Sequence, residues 1–553
     1  LTETGANTGI FMGSITFAVG AASSGDGILQ VTAGDNITGS YTDPTDDFGN
    51  ELTVTDGAIY GANAVSGTLS ENTTWTAANS PYLVTGDVTI PAYVTLTIEP
   101  GVKVRFLALY DDANTGWDYL RSEIYIQDDG ALIAEGTATD SIYFMSNADS
   151  PEHGDWYGIS LQSGAHVDIR MSYVSFSNAR HGFSTHSDYN NFRIYGNEGD
   201  SLIIRNSSFR LISQSIVNAR ILLYNEGQGI FKNNKFAKWA RSGGRFIYYV
   251  YMYQNSFFHL DSNQFLGINH GYISSNFHNA DDSSRVWVTN NTTNASCNFN
   301  FESYSESIRD YEFVIEGNNF KGYGDDRITL WGSGATTGKY LFKDNVVDSA
   351  QVYIYGVNKA LVKGNTIKNC TDSYDAGFYL YNSDAVVENN TITGHKGYGL
   401  YLYNYSDYAD VVTDTIRNNI ITGNNVYGYS YRSGIYVNGY GNHVIWYNDI
   451  SDNTGGDCED NCYDLYVNTG YLSGNLDARF NYWGTTTTAQ MNQGNNPKDI
   501  ERIYDYYDYS DYNAVNYANW LSESGGDPPS IIPVLGSILL TDADGVEELV
   551  FQP

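Results

Sequence analysis

The sequence predicts an all-β protein built as a right-handed parallel β-helix, in which each coil supplies about three short strands and the coils stack. A phrase of one or two asparagines, a small polar residue and an apolar residue recurs at intervals of roughly 20 to 30 residues, which is typical of stacked repeats. The runs between the copies alternate or are apolar, and none holds a helical period. The copies are Lys232–Phe236, Gly317–Phe320, Gly364–Ile367, Glu388–Ile392 and Arg417–Ile421, with weaker ones at Arg205–Phe209 and Ser262–Phe265.

Asparagine suits the turns between strands because it tolerates a left-handed backbone and its amide bonds to neighbouring backbone groups. Stacked asparagines can also bond to one another along the axis of the coils. The Phe or Ile that follows the asparagine is expected to point into the core. A β-sandwich or a propeller with asparagine-rich turns is the alternative, and the spacing of the repeats disfavours it.

Composition and charge limit the class of protein. The 553 residues include Lys+Arg 29 against Asp+Glu 64, for a formal net charge of −35. Such a surface repels nucleic acid and anionic membranes, so we expect neither nucleic-acid binding nor membrane insertion. The content of 41% hydrophobic and 15% aromatic residues is enough for a core and argues against disorder. These features indicate an extracellular or cell-surface protein, and the start at Leu1 suggests a mature form or an excerpt.

The two ends of the chain resemble parts of an immunoglobulin-like repeat found in bacterial surface proteins. Leu1–Phe11 and Gly34–Asp43 are similar to the later part of that repeat, and Ser537–Val546 is similar to its beginning. The resemblance implies the later strands of a β-sandwich at residues 1–62. It also implies the first strands of such a domain at residues 534–553.

The segment between the ends resembles secreted β-helix proteins of the pectate-lyase-like superfamily. The resemblance is carried by Thr68–Phe106, Ile142–Ser146 and Gly154–Ile159. It implies a β-helix over residues 63–485, because Arg479–Gly484 is a phrase common at the close of such folds. A cap at 486–521 and a Gly- and Pro-containing linker at 522–533 would follow. This fold carries many activities, so it does not by itself assign one.

No complete catalytic motif is visible. Asp325 and Asp326 resemble the paired catalytic aspartates of polygalacturonases. The other catalytic motifs of that family are absent from the sequence, and Asp-Asp pairs recur elsewhere in the chain. The histidines lack ligand spacing, so a surface or stacking role is the simpler interpretation; they include His181, His270, His395 and His443. The sequence therefore predicts that the protein is not an enzyme.

Two oxygen-rich loops are candidates for structural calcium, and no other cofactor is expected. The first contains Asp43, Asp46 and Asp47, and the second contains Asp542 and Asp544. Neither matches an EF-hand loop, and a solvated acidic turn remains the alternative for both.

Four cysteines are present. Cys458 and Cys462 are close enough to form a small disulfide loop, with a metal pair as the alternative. The pairing of Cys297 and Cys370 is left open.

The 48 tyrosines are the most unusual feature of the composition. They cluster at Tyr248–Tyr253, Tyr398–Tyr408 and Tyr504–Tyr517. Stacked aromatic columns outside the coils are the first interpretation. A sugar-binding or subunit-contact face is the second, because tyrosine combines a rigid ring with a polar tip.

We expect from these patterns a structural subunit of an extracellular filament or surface layer, whose partner is another copy of itself. Its C-terminal strands would complete the N-terminal domain of the next copy, as in donor-strand pairing. The donor residues would be Ile538, Leu540 and Val546, and the acceptor residues Ile10, Phe11, Ile15 and Phe17. The alternative is a β-helix surface protein that binds or cleaves polysaccharide on an exposed coil face.

Overall fold

The structure is a computed structural model, and it divides the chain into two compact units. Unit one comprises Leu1–Tyr251 and Ser262–Ile268, and unit two comprises Met252–Asp261 and Asn269–Pro553. The residues it describes are 2–3, 11–21, 23, 25–31, 35–43, 49–60, 63–113, 116–187, 189–239, 246–266, 283–294, 298–303, 312–322, 326–332, 338–371, 376–405, 413–426, 432–453, 462–526, 539–541 and 547–549.

Both units are parallel β-helices. A full coil runs through three short strands, which lie on faces that we call A, B and C in chain order. Each strand pairs in parallel with the equivalent strand of the next coil, as Glu312–Glu316 of face A does with Lys339–Lys343. Residues in the same position of successive coils therefore lie above one another.

The strands of unit one are grouped here by face. Face A contains Thr73–Trp75, Thr95–Ile98, Gly130–Glu135, Val167–Ser172, Ser201–Arg205 and Gln228–Lys232. Face B contains Lys103–Phe106, Ile142–Ser146, Val174–Ser177, Ser208–Ile212, Lys235–Trp239 and Gln264–Leu266. Face C contains Glu123–Ile126, Gly158–Leu161, Phe183–Ser184, Asn191–Tyr195, Val217–Tyr224 and Ile247–Met252, whose last residue falls in unit two. The longer strands Asn63–Thr68 and Tyr82–Ile90 contribute to both B and C.

The strands of unit two follow the same order. Face A contains Phe257–Asp261, Arg285–Thr289, Glu312–Glu316, Lys339–Lys343, Asn358–Lys363, Asp384–Glu388, Thr415–Arg417, Val444–Trp446, Leu476–Asp477 and Val515–Asn516. Face B contains Thr292–Thr293, Asn319–Lys321, Val346–Asp348, Thr366–Lys368, Thr391–Thr393, Ile420–Thr422 and Asp449–Ser451. Face C contains Phe299–Ser303, Arg327–Gly332, Gln351–Tyr355, Phe378–Tyr381, Leu400–Asn404, Ser433–Gly439, Tyr463–Val467 and Ile503–Tyr504.

The apolar residue after each asparagine forms a column in the core, as the sequence predicts. In unit one, Phe209, Phe236 and Phe265 are buried, and successive ring centroids lie 5.5 and 5.3 Å apart. In unit two, Ile392 and Ile421 occupy the same position and are 0% exposed. Burying a side chain of this size contributes roughly 1.5–3 kcal/mol, so the column is a main source of stability.

An asparagine ladder occupies the turn between faces A and B. The first residue of each pair is left-handed, with φ of 54° at Asn233 and 57° at Asn389, while the second residue is buried. The amides of Asn234 and of the unit-two residues from Asn291 to Asn448 each donate to the side-chain oxygen of the buried asparagine in the next coil and to a backbone carbonyl of the preceding coil. The amide of Asn481 donates instead to the backbone carbonyls of Ile445 and Ala478. The ladder includes Asn234 and Asn263 in unit one, and Asn291, Asn318, Asn345, Asn365, Asn390, Asn419, Asn448 and Asn481 in unit two.

A second, shorter ladder follows face B in unit two. The backbone N–H of His395 donates to Asn424 Oδ1 at 3.3 Å, and the amide of Asn424 donates to Asn453 Oδ1 at 2.8 Å. Asn453 donates in turn to Asp464 Oδ1 at 3.0 Å. Burial raises the pKa of Asp464 to about 7. These contacts place two polar columns along the same coils.

Outside the coils the described elements are short. Thr2–Glu3 pairs with Phe11–Met12, Thr16–Ala18 with Ile28–Gln30, Asn36–Asp43 with Leu52–Ile59, and Leu539–Thr541 with Glu547–Leu549. One α-helix, Gly484–Met491, and two 3₁₀ turns, Ala77–Asn79 and Gly196–Glu198, complete the elements of the described chain. None of the described helices is long and apolar enough to cross a bilayer. The immunoglobulin-like interpretation of the ends and the domain boundaries stay predictions.

Candidate functional site

The outward side of face C in unit two carries two aromatic columns among the described residues. Alternate residues of its strands point inward and are buried, and those between them are mostly tyrosines. Because the strands stack in register, each ring lies over the ring of the next coil. The first column is Tyr353, Tyr379, Tyr401, Tyr436, Tyr466 and Tyr504, and the second is Trp331, Tyr355, Tyr381 and Tyr403. We call these ten residues the aromatic face.

The rings of the aromatic face are close enough to contact one another along both columns. Centroids in the first column lie 4.3 to 5.4 Å apart. In the second column Tyr381 lies 4.7 Å from Tyr355 and 4.8 Å from Tyr403, while Trp331 lies 6.2 Å from Tyr355. Stacked rings support each other and remain half-buried, so they form a rigid strip.

Only part of this strip is open to solvent. Tyr436 and Tyr466 are 8% and 7% exposed, because Tyr398 and Tyr463 pack against them. Arg432 fixes Tyr398 through a hydrogen bond of 2.8 Å to its hydroxyl. Burial also raises the pKa of Tyr436, which keeps its phenol neutral. The continuous run of accessible rings therefore lies in the earlier coils, from Trp331 to Tyr403, and is separated from Tyr504 by the buried Tyr436 and Tyr466.

A pocket of about 330 Å³ adjoins the open end of the aromatic face. Its lining comes from two consecutive strands of face C and the residues just before them. The lining residues are Asn298, Phe299, Asn300, Glu302, Arg327, Thr329 and Trp331. Trp331 belongs to both the pocket and the aromatic face, so a ligand on the rings would extend into the pocket.

The polar groups of the pocket are held by their neighbours. The backbone N–H of Arg327 donates to Asn298 Oδ1 at 2.8 Å, and Asn298 Nδ2 donates to Asp326 Oδ1 at 2.7 Å. The amide of Asn300 donates to Glu302. The pocket thus presents one carboxylate that can move a proton and one permanently charged guanidinium. That combination can recognise sugar hydroxyls and assist chemistry on them.

Unit one contains a separate group of buried acids behind face C. Glu123 is 0% exposed; its backbone N–H donates to Asp87 Oδ1 at 3.0 Å, and its carboxylate accepts hydrogen bonds from Ser160 and from the Trp117 N–H. Burial raises the pKa of Glu123 to about 8, and the charges of Asp87 and Asp111 act in the same direction. A fully buried group cannot touch a polymer, so we interpret this cluster as structural.

Three of the four histidines considered in the sequence analysis are buried, so of the two roles offered there, surface or stacking, the surface role does not apply to them. His181 and His443 are 3% and 4% exposed, and His395 is 0% exposed. Burial lowers the pKa of His181 to about 3 and that of His395 to about 4, so both stay neutral. His395 stacks within the second ladder, while His270 lies outside the described residues.

The residues predicted for subunit contact are only partly described. Ile15 is 54% and Phe17 40% exposed, and Phe17 also lies 5.6 Å from the Tyr60 ring. Phe11 and Leu540 fall in short two-stranded sheets. Ile10, Ile538 and Val546 lie outside the described residues. The structure therefore brings no donor residue against an acceptor residue in the described part of the chain.

The calcium and disulfide predictions also remain predictions. Asp43 ends a strand paired with Leu52, whereas Asp46, Asp47, Asp542 and Asp544 lie outside the described residues. Asp325 is also outside, and Asp326 is buried against Asn298. Cys462 is disulfide-bonded, but Cys458 is not among the described residues.

One acidic group that the sequence did not single out comes together in unit one. Asp128, Asp129 and His166 place their ligand atoms within 4.8 Å of one another. His166 Nδ1 is 3.5 Å from Asp129 Oδ1, and the His166 backbone N–H donates to Asp128. This hydrogen bond joins two coils whose residues are 38 positions apart in sequence, so a local sequence motif could not predict it. We assign it a turn-stabilising role.

Two family models match the coils. Residues 248–416 and 308–470 match a model described as a right handed beta helix region, and residues 67–190 match a pectate-lyase like beta helix domain. Together with the parallel pairing of the strands, these matches decide the fold. The coils form a right-handed parallel β-helix. The expected resemblance to pectate-lyase-like coils is thereby confirmed for the fold.

Solved structures give weaker similarities. A double mutant of the periplasmic alginate epimerase AlgG is 12% identical, covering 66% of this chain and 78% of its own, with a TM-score of 0.32. The A-module of the Azotobacter vinelandii mannuronan C-5 epimerase AlgE6 is also 12% identical, covering 79% and 91%, with a TM-score of 0.23. No curated protein matches the chain.

The prediction that the protein is not an enzyme is corrected, because it rested only on the lack of a contiguous catalytic motif. The solved structures that the β-helix resembles are epimerases of alginate and of mannuronan. The prediction treated the lack of a motif in sequence as a lack of activity. On a β-helix, catalytic groups come from different coils, so no contiguous motif is required.

Proposed function

We propose that this protein is a polysaccharide-active β-helix protein, which holds an extended glycan along the aromatic face of unit two. The observation that carries the proposal is the strip of open rings from Trp331 to Tyr403, which ends at a polar pocket. Sugar rings present C–H faces that pack on aromatic rings, and phenol hydroxyls can bond to sugar hydroxyls. Coils repeat about every 4.8 Å along the strip, close to the length of one hexose unit in an extended glycan.

The pocket is the proposed place of reaction. Glu302 supplies a carboxylate for proton transfer, and Arg327 supplies a cation that can stabilise developing negative charge. Trp331 would position the sugar unit because its ring lines the pocket and begins the second column.

Binding tests the aromatic face. The double substitution Tyr355→Ala with Tyr381→Ala removes two stacked rings 4.7 Å apart, and we expect affinity for the polysaccharide to fall about tenfold or more. The matched control is Tyr440→Ala with Tyr471→Ala, a stacked pair outside the aromatic face at 4.9 Å. Affinity electrophoresis against a panel of neutral and acidic polysaccharides makes the measurement. Equal losses in both double variants would contradict the assignment.

The reaction is tested on the polymer that binds. We expect Glu302→Gln to keep binding and to lower turnover by about a hundredfold, because it removes only the proton-transfer group. NMR spectra of the polymer before and after incubation report cleavage, elimination and epimerisation alike. If Glu302→Gln turned over the polymer at the wild-type rate, this pocket would not be the site of the reaction.

A location outside the cell fits the same proposal. The disulfide at Cys462 indicates an oxidising compartment, and the strong negative charge suits a soluble surface protein. Structural calcium in the acidic loops is part of the proposal as a stabilising ion, with no role in the reaction.

A filament subunit is the second candidate, and it has less support than polysaccharide activity. One observation favours it: Ile15, Phe17 and Val54 are 54%, 40% and 55% exposed in the N-terminal strands. Head-to-tail assembly predicts filaments by electron microscopy that disappear when the chain is truncated after Pro533. Monomers in both samples would exclude this candidate and leave the aromatic face unaffected.

A further inference from the structure

Within the described part of the chain, two arginines on the outward side of face C in unit one have no carboxylate partner. Arg193 and Arg220 lie on paired strands, with Asn191 opposite Arg220 and Arg193 opposite Leu222. The Nε atom of each is buried and has no hydrogen-bond partner. Among the residues that the structure describes, neither guanidinium forms an ion pair. Two positive charges therefore lie two residues apart along one surface.

Three tyrosines surround the guanidinium of Arg220. Its central carbon lies 5.7 Å from the ring of Tyr189, 5.6 Å from Tyr249 and 6.0 Å from Tyr251. Tyr189 is 68% exposed, so the group opens to solvent on that side. Rings hold an arginine in place by cation–π attraction without neutralising its charge. The guanidinium is thus fixed, partly dehydrated and still able to accept an anion.

Three other arginines of unit one, Arg121, Arg170 and Arg180, form ion pairs with carboxylates. Arg170 lies 2.9 Å from Asp168, and both Arg121 and Arg180 bind Asp118 at 2.9 and 3.0 Å. The chain has Asp+Glu 64 against Lys+Arg 29, so acidic partners are abundant. A partly buried arginine without one carries a desolvation cost that a bound anion would offset. Unlike the arginines paired with Asp168 and Asp118, Arg220 is therefore available to bind an external anion.

We propose that Arg220, with its three tyrosines, binds an anionic group of a polysaccharide, a carboxylate or a sulfate. The planar guanidinium matches either group with two parallel hydrogen bonds, and the flanking rings pack against the sugar that carries it. Arg193 adds a second positive charge for the next acidic unit along the chain. The inference rests on the proposed function for the nature of the polymer and adds that the polymer is acidic.

The test compares an oligogalacturonate with its carboxyl-reduced counterpart, using isothermal titration calorimetry on the full chain. We expect the wild-type protein to bind the acidic form about tenfold more tightly. Arg220→Gln should remove this preference, and Arg220→Lys should restore part of it, because lysine keeps the charge without the planar fork. Arg170→Gln is the matched control and should keep the preference, since Arg170 is already paired with Asp168. Unchanged unfolding midpoints verify that the variants fold.

A sulfated galactan oligosaccharide separates the two anions. If both ligands bind and both need Arg220, the site accepts anions in general. If only the carboxylated ligand binds, the site is specific for uronates. The proposal is overturned if the wild-type protein does not prefer the acidic form, or if Arg220→Gln keeps that preference. Failure of the aromatic face is distinguishable, because its double variant would then leave the affinity for both the acidic and the reduced ligand unchanged, whatever the effect of Arg220→Gln.

Discussion

Glu123→Gln is expected to remove a large part of the pH dependence of stability. The pKa of Glu123 is raised from 4.5 to about 8 in the folded protein, because the side chain is buried beside Asp87 and Asp111. The folded state therefore holds a proton that the unfolded state releases above pH 4.5. The stabilisation is complete below pH 4.5 and is lost as the pH rises to 8, at about 1.4 kcal/mol for each pH unit.

Urea unfolding at several pH values between 4 and 9 makes this measurement. The glutamine variant should lack this contribution and should be the more stable protein at pH 8, since no charge has to be buried. Asp464, whose pKa burial raises to about 7, titrates in both proteins, so the difference between the two curves isolates Glu123. Glu501→Gln, the same substitution at an exposed position, is the control for replacing a carboxylate by an amide. Parallel curves for wild type and Glu123→Gln would refute the assignment.

Asn390→Ala is expected to cost about 3 kcal/mol or more of unfolding free energy. Asn390 Oδ1 accepts hydrogen bonds from the backbone and the side chain of Asn365, and its amide donates to Asn419 and to the carbonyl of Val362. Alanine leaves several of these buried groups without partners, at roughly 1–3 kcal/mol for each. Chemical denaturation provides the free energy, and hydrogen exchange shows whether the neighbouring coils open first.

The adjacent Asn389 supplies the control. It is exposed and left-handed, with φ of 57°, and its side chain is outside the ladder. Glycine adopts this backbone readily, so Asn389→Gly should change stability by no more than about 1 kcal/mol. If the two substitutions had similar effects, the buried ladder would not be the element that stabilises these coils.

The sequence predicted the turn and core columns because both arise from local chemistry repeated in each coil. The left-handed position of Asn389 and the burial of Ile392 follow from one short phrase. The tyrosine columns could also be predicted, since Tyr353 and Tyr355 alternate with buried residues of face C. Alternation and recurrence are enough to place a residue in a column.

Function was harder to predict from sequence. The pocket joins Glu302 to Arg327, which lie on consecutive strands of face C, and neither is part of a recognisable motif. The absence of such motifs led to the wrong prediction of a non-enzyme. Between the surface and stacking roles expected for His395, only the structure distinguishes, because its side chain replaces an amide within a buried ladder.

The sequence by itself determined the fold class, the asparagine turns and the existence of tyrosine columns in this protein. Only the tertiary structure decided which tyrosines remain open, which acids are buried and which arginines form no ion pair among the described residues. Arg220 and Arg170 are alike in sequence context, both lying within strands at alternating positions. What differs is the neighbour supplied by the surrounding chain, three tyrosine rings for Arg220 and a carboxylate for Arg170. The physical reason is that charge and access depend on contacts between coils, whereas turn and strand formation depend on residues within one coil.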